Sequence, residues 1–413
     1  MRLYLAVTFW GDEYRRYFVD YCLASLLAPG NIPAIADRSS ARLLIATTDR
    51  DWAELQGEPA FAAVQTFIAV EHLPFIGTSD VQGRRMFVMS EGHRLLARRM
   101  FADRAQGVFI YPDMIAAKGF LAAIERLWRQ KFAAVMFMNV RFANEGIFEE
   151  LKAGVLLVVS PRELVRLTLR HMHSEMQRSG FDNPFDDYGS SSYFWNVTRG
   201  EDVVFHCGSW IPSLIDYARL NAHDDSTLAT WTLDGDYVSK NFPDEKKIYY
   251  ARDTDELFMI SFTPESREHY SLAPLALYRI PFLRTGLKIV GAHNFLYEQA
   301  PAWLREEEFR LPVRFRGGDS PEQQWLALEA HAARIVGRMR HGGSIIWKLS
   351  YFLYFRFVPI VSSLWPNRKV IARRFLDILR GDRAAWNRVR WRVRQQITGE
   401  STEVWEGRHQ TRH

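Results

Sequence analysis

Five apolar runs limit what this chain can fold into: LYLAVTF (residues 3–9), ARLLIATTD (41–49), TFIAVEHL (66–73), GVFIYPD (107–113) and AAVMFMNVRF (133–142). Most are apolar without the alternation of a half-exposed strand, so as strands they need cover on both faces. The segments between them carry helical spacing. Tyr14, Phe18, Tyr21, Cys22 and Leu26 form one stripe, and Phe87, Leu95, Leu96 and Met100 another, broken by Gly92; EPAFAAV (58–64) and FLAAIERLWRQ (120–130) are further helices. Strand alternating with helix predicts an α/β fold, with a mostly parallel sheet flanked by helices.

Beyond residue 142 the pattern is mixed. Ser160-Pro161-Arg162-Glu163 is a capping box with proline at the first helical position, opening a helix expected to carry His171 and His173. Short strands are expected at DVVFHCG (202–208), within the longer apolar stretch VVFHCGSWIP, and at KIYYARD (247–253). Ser320-Pro321-Glu322 opens another helix, with Trp325, Leu328, Ala332 and Ile335 on one face. A chain of 413 residues exceeds one small core. The expected division is 1–262, a catalytic unit; 263–333, a connecting region with a helix; and 334–413, a basic helical extension.

Hydrophobic residues make up 47% and charged residues 24%, which suits a packed interior. Cys22 and Cys207 lack CxxC spacing and read as free thiols in a reducing compartment. The opening MRLYLAVTFWGDEYRR has no small-residue cleavage site, so it is read as a first strand and the protein as cytoplasmic. No Walker A sequence, GxGxxG after a strand, GxSxG or HExxH occurs, which argues against a P-loop ATPase, a Rossmann dehydrogenase, an α/β-hydrolase and a zincin.

Ligands of open α/β sheets bind beyond the carboxyl ends of the strands. Thr8, Phe9 and Trp10, then Thr48 and Asp49, then Asp113 stand at such ends and should gather along one edge. Two roles are open to Asp113: a ligand for a hard cation, or a helix cap or turn residue after Pro112. Asp234-Gly235-Asp236 and Asp253-Thr254-Asp255-Glu256 are competing acidic clusters. The second has the local form of a metal-binding aspartate pair and also of the nucleophile strand of haloacid-dehalogenase phosphatases. His206, late in an apolar run, offers an imidazole either to a metal or to the core.

The order Thr8-Phe9-Trp10-Gly11, helix, Leu26-Leu27-Ala28-Pro29-Gly30-Asn31-Ile32-Pro33, Thr47-Thr48-Asp49 and Tyr111-Pro112-Asp113 resembles GT-A-type nucleotide-sugar glycosyltransferases over about residues 1–260. More narrowly it resembles a bacterial group sharing the Pro-Gly-Asn-Ile-Pro loop, the Pro-Asp strand end and a later His-containing strand. The resemblance implies a nucleotide-sugar donor cradled by Thr8, Trp10 and Asp49. It also implies a divalent cation, Mn²⁺ or Mg²⁺, held with the diphosphate by Asp113 and completed by His206. The motif has one acid where the family commonly has two, so Arg94 or Lys118 is the expected alternative source of positive charge. Asp234 and Asp236 are the candidate general bases for an acceptor hydroxyl on a glycan or lipid-linked acceptor. A non-catalytic carbohydrate-binding or envelope-assembly protein on the same scaffold is the alternative.

From Arg334 onward, 17 Lys and Arg stand against 5 Asp and Glu, whereas the preceding residues carry 36 against 43. Lys348, Arg356 and Pro359 interrupt the apolar run at 345–365, which disfavours a spanning helix. Aromatic residues interleaved with arginine suit an anionic membrane surface better than nucleic acid, which predicts peripheral attachment at the inner face of the membrane.

Overall fold

The computed structural model describes residues 1–75, 85–138, 140–183, 192–198, 201–229, 232–267, 281–298, 306–342 and 345–352. The strands in chain order are β1 (Leu3–Thr8), β2 (Arg42–Thr47), β3 (Ala69–Pro74), β4 (Gln106–Phe109), β5 (Met114–Ala116), β6 (Ala134–Met138), β7 (Arg141–Ala143), β8 (Ser192–Thr198), β9 (Asp202–Cys207), β10 (Trp210–Asp216), β11 (Ile248–Tyr250), β12 (Met259–Thr263) and β13 (Pro312–Arg316).

Seven of them form the central sheet in the order β11-β6-β10-β4-β1-β2-β3. The pairs β3–β2, β2–β1, β1–β4 and β6–β11 are parallel, and β10 enters antiparallel between β4 and β6. Thus the mostly parallel sheet expected from the apolar runs is present. Alternate residues of each strand serve opposite layers. Leu3, Leu5 and Val7 meet Phe18, Cys22, Phe61 and Ile124 on one side, while Tyr4 and Ala6 share the other with Leu96 and Met100 of helix Arg85–Ala102.

The Pro-Gly-Asn-Ile-Pro loop has a structural task. Gly30 adopts φ +84°, and a Cβ there would stand 2.7 Å from Gly119 Cα, so only glycine fits this close crossing. Fully buried Asn31 then donates to Ser25 O (2.9 Å) and Ala117 O (3.2 Å) and accepts from Leu121 N (3.1 Å). This clamps the first helical layer to the start of helix Phe120–Arg129.

Two smaller sheets complete the fold. In β5-β12-β7, Phe262 N donates to Asp113 O (2.9 Å), which fixes the chain leaving β4. In β13-β9-β8, the outer face is covered by Ile289 and Ala292 of helix Pro281–His293 and by Ala332 and Ile335 of helix Glu322–Arg340.

Three local expectations change. The run at 133–142 divides into β6 of the central sheet and β7 of the β5-β12-β7 sheet. The stretch VVFHCGSWIP breaks at Gly208-Ser209 into β9 and β10, which belong to different sheets. Pro212 is tolerated in a central strand because the register shifts between Pro212 and Leu214. Helix Pro161–Arg170 stops before both histidines: His171 is its C-cap, and His173 caps the next short helix by accepting from Glu175 N (3.1 Å). The basic extension beyond residue 352 lies outside the described residues. Among the described residues, no helix is long and apolar enough to cross a membrane.

Candidate functional site

The carboxyl ends of β1, β2 and β4 lie side by side, because the three strands are consecutive parallel neighbours. One side chain ties the first two ends together. The buried Asp51 carboxylate accepts from Gly11 N (3.0 Å), Thr48 Oγ1 (2.7 Å) and Arg15 Nη1 (3.3 Å), while Thr48 Oγ1 caps the helix by accepting from Asp51 N (3.1 Å). Arg15, itself buried, also pairs with Asp12 and Glu54. The acid that organises this corner is therefore Asp51. Asp49, at the start of the same helix, is exposed. The spacing Thr48-x-x-Asp51 was the available signal, a cap residue with an acid three positions on.

Trp10 is half-buried beside this corner and tilts against Phe75, with ring centroids 5.9 Å apart. Thr8 is not open to a ligand. Helix Arg85–Ala102 crosses over it, and its hydroxyl is buried without a hydrogen-bond partner among the described residues. The crossing occurs at Gly92, whose missing Cβ would stand 2.0 Å from Thr8 Oγ1.

Next along the same helix is His93, a residue the sequence reading passed over. Its ring stands edge-on to Phe109 (6.0 Å) and to Tyr111 (5.6 Å), and burial lowers its pKa to about 4, so it is neutral. Arg94 follows, half-buried and engaged in no ion pair among the described residues. Lys118 is exposed at the far end of β5, and its amide donates to Val159 O (2.8 Å). The strand Met114–Ala116 and the start of a turn separate it from Asp113.

Asp113 is half-buried where β4 hands over to β5. Two tyrosine- and carboxylate-bearing segments meet there. Burial holds the Tyr111 phenol well above its ordinary pKa, and the charges of Asp234 and Asp113 raise it further, so all three side chains share one electrostatic neighbourhood. Asp234 arrives from a distant part of the sequence as the N-cap of helix Gly235–Asn241, where Oδ1 accepts from Asp236 N (3.0 Å). Its Oδ2 is buried with no hydrogen-bond partner among the described residues. Burial, then the charge of Asp236, raises the Asp234 pKa from 3.8 to about 6. Asp236 is half-buried in the first turn of the helix. Tyr250 at the end of β11 donates to buried Glu308 (3.0 Å), whose carboxylate lies 3.3 Å from where a Gly235 Cβ would stand.

His206 belongs to a different environment. It is fully buried in β9, its ring lies near Trp195 and Phe309, Nδ1 is bonded to Phe309 O (3.0 Å), and burial lowers its pKa to about 4. The expected cation ligands Asp113 and His206 thus do not fit a ligand set, since one stands at the edge of the central sheet and the other in the core of the outer one. Among the described residues, no three His, Cys, Asp or Glu side chains are grouped to hold a metal ion. The Asp253–Glu256 cluster is a salt-bridged turn: Arg316 Nε donates to Asp253 (2.7 Å) and Arg162 grips Asp255 through two nitrogens (2.8 and 3.0 Å). A cavity of about 650 Å³, lined by Ser160, Arg162, Arg166, Thr198, Ser320 and Gln324 among others, includes none of Thr8, Trp10, Thr48, Asp49 and Asp113.

No family model matches the chain, and no curated protein matches it. Among solved structures it is similar to a mannosyltransferase from Pyrobaculum calidifontis in complex with GDP-mannose and Mn²⁺, at 10% identity and TM-score 0.33, over 89% of this chain and 82% of the other. It is also similar to a protein described as a glucose-1-phosphate thymidylyltransferase from Bacillus anthracis, in complex with a sucrose, at 11% identity and TM-score 0.21. That match covers 33% of this chain, which spans 55% of the length of that structure.

Proposed function

We propose that the protein is a glycosyltransferase that moves a sugar from a nucleotide-sugar donor to a polysaccharide or lipid-linked acceptor. The observation that carries this reading is the gathering, at one sheet edge, of the Asp51-braced corner, Asp113 and Asp234, a base candidate drawn in from another segment. The nucleotide lies against Trp10 and the Gly11–Thr48 corner, and Arg94 supplies charge to the diphosphate. In an inverting transfer, Asp234 takes the proton of an acceptor hydroxyl as its oxygen attacks the anomeric carbon. The bond to the diphosphate breaks, and its electron pair leaves with the nucleotide. A base with a pKa of about 6 is ionised at pH 7 and still basic enough to share the proton. The divalent cation remains part of the proposal only through ligands other than the pair Asp113 and His206.

In this reading the unit is residues 1–262, residues 263–333 connect, and the basic aromatic segment 334–413 holds the enzyme at the inner face of an anionic membrane. The test is Asp113→Ala in the full chain, which should abolish donor turnover with the fold intact; full retained activity would remove Asp113 from the mechanism. The single acid of Tyr111-Pro112-Asp113 favours one second reading, a carbohydrate-binding protein without catalysis. That protein would bind nucleotide sugars, or glycans alone, without turning them over.

A further inference from the structure

The cavity of about 650 Å³ that excludes the strand-end residues has a built frame of its own. Three segments wall it: the first turns of helix Pro161–Arg170, the facing ends of β8 and β9, and the loop from β13 to helix Glu322–Arg340. Fully buried Asp202 pins that loop. Its Oδ1 accepts from Gly317 N (2.9 Å) and Gly318 N (2.8 Å), and its Oδ2 from Ser320 N (3.2 Å) and Ser320 Oγ (2.5 Å). Thr198 Oγ1 is bonded to Ser320 Oγ in turn (2.7 Å), and Arg166 donates to Gly317 O (2.5 Å). Pockets of this size are ordinarily lined by apolar side chains, yet among the residues lining this one only the Pro321 ring is apolar. A hydrophobic ligand finds no matching surface there. An anion meets Glu201, Asp202 and Asp319, while Arg162 is already held by Asp255 and Asp319; a cation meets Arg162 and Arg166. The walls offer hydroxyl, amide and carboxylate groups from Ser160, Thr198, Gln324 and Glu201. The side chains of Glu201 and Gln324 have no hydrogen-bond partner among the described residues. Each hydroxyl of a neutral polyol both donates and accepts, so it matches such a mixed set without a charge to be opposed.

We propose that this cavity binds a neutral glycan chain, at a carbohydrate site apart from the strand edge. Strand β13 separates the two, since Glu308, beside Gly235, precedes the strand and the cavity loop follows it. The inference goes beyond the proposed transfer and stands without it. Titration calorimetry on the full chain with maltohexaose, cellohexaose, mannohexaose and chitin hexasaccharide, with inorganic phosphate as the anionic control, tests it. At least one hexasaccharide should bind, and phosphate should not displace it. Glu201→Ala combined with Gln324→Ala removes two hydrogen-bonding groups and should weaken that binding about five- to hundredfold. Both positions are exposed, so the urea midpoint should stay at the wild-type value. Unchanged affinity in the double variant, displacement by phosphate, or a wild-type protein that binds none of the four hexasaccharides overturns the proposal. Glycan binding lost in Asp113→Ala but kept in the double variant also overturns it, by placing the glycan on the strand edge. Failure of the glycosyltransferase reading is distinguishable: a wild-type chain that binds a hexasaccharide through Glu201 and Gln324 yet turns over no nucleotide sugar removes the transferase and leaves this site standing.

Discussion

Gly92 lies against Thr8 so closely that an added Cβ would stand 2.0 Å from Thr8 Oγ1 and 2.8 Å from Thr8 Cβ. The contact sets how low helix Arg85–Ala102 rides on the sheet, and so where His93 meets Tyr111. Alanine is the better helix former by about 1 kcal/mol, but overpacking of a tight interface costs about 1–3 kcal/mol. Gly92→Ala should therefore be net destabilising by up to about 2 kcal/mol in urea unfolding. Thr8→Ala, which removes the nearest atom, should recover part of the loss in the double variant; additive losses would show that the contact is not the cause.

Asp234 ties stability to function with opposite signs. Its folded pKa of about 6 exceeds the ordinary 3.8, so the folded chain holds the extra proton between those values. Stability from this group falls as pH rises through that window, by about 3 kcal/mol once it is complete. Asp234→Asn should raise the melting temperature at pH 7.5, lose that advantage below about pH 4, and cut turnover by about 10²- to 10⁴-fold. The wild-type rate should climb as pH rises through about 6.

Asp51 and Asp49 separate bracing from contact. Asp51→Ala takes the acceptor from Gly11 N and Thr48 Oγ1 and leaves Arg15 paired with Asp12 and Glu54 alone, so it should cost about 1–3 kcal/mol in urea unfolding and weaken nucleotide binding. Exposed Asp49→Ala should stay within about 0.5 kcal/mol of wild type. A change in nucleotide affinity there, measured by calorimetry, would mark a direct contact.

Two buried imidazoles predict acid lability. His93 and His206 are neutral in the folded chain, with pKa lowered to about 4, and take up a proton near 6.5 when unfolded. Their contribution is complete above about pH 6.5 and is lost as pH falls toward 4, the reverse of Asp234. The urea midpoint should drop between pH 7 and 5, and His93→Leu should flatten part of that slope.

Both thiols should be inert in the native state. Cys22 and Cys207 are free and buried, and burial raises both pKa values, that of Cys207 to about 12. Iodoacetamide should label neither at pH 8 until urea unfolds the chain, as followed by intact mass.

The runs at 3–9, 41–49 and 107–113 announced the sheet because apolar character is a local property, visible where burial on both faces is required; the run at 66–73 became the partly exposed edge strand β3, and that at 133–142 divided between two sheets. The break at Gly208-Ser209 was not legible, since an apolar run does not record which sheet each half joins. His206 illustrates the same limit: its composition suits a ligand or a core residue equally, and the covering layer at Trp195 and Phe309 made it core.

What the chain determined by itself was the parallel sheet and the edge on which Trp10, Thr48 and Asp113 emerge, because strand direction and strand ends follow from residue order. Only tertiary structure decided that Gly92 would cover Thr8, that Asp51 would brace the corner, and that Asp234 would come to stand near Tyr111. Those are contacts between segments far apart in sequence, fixed by how the layers pack, and no local pattern encodes them.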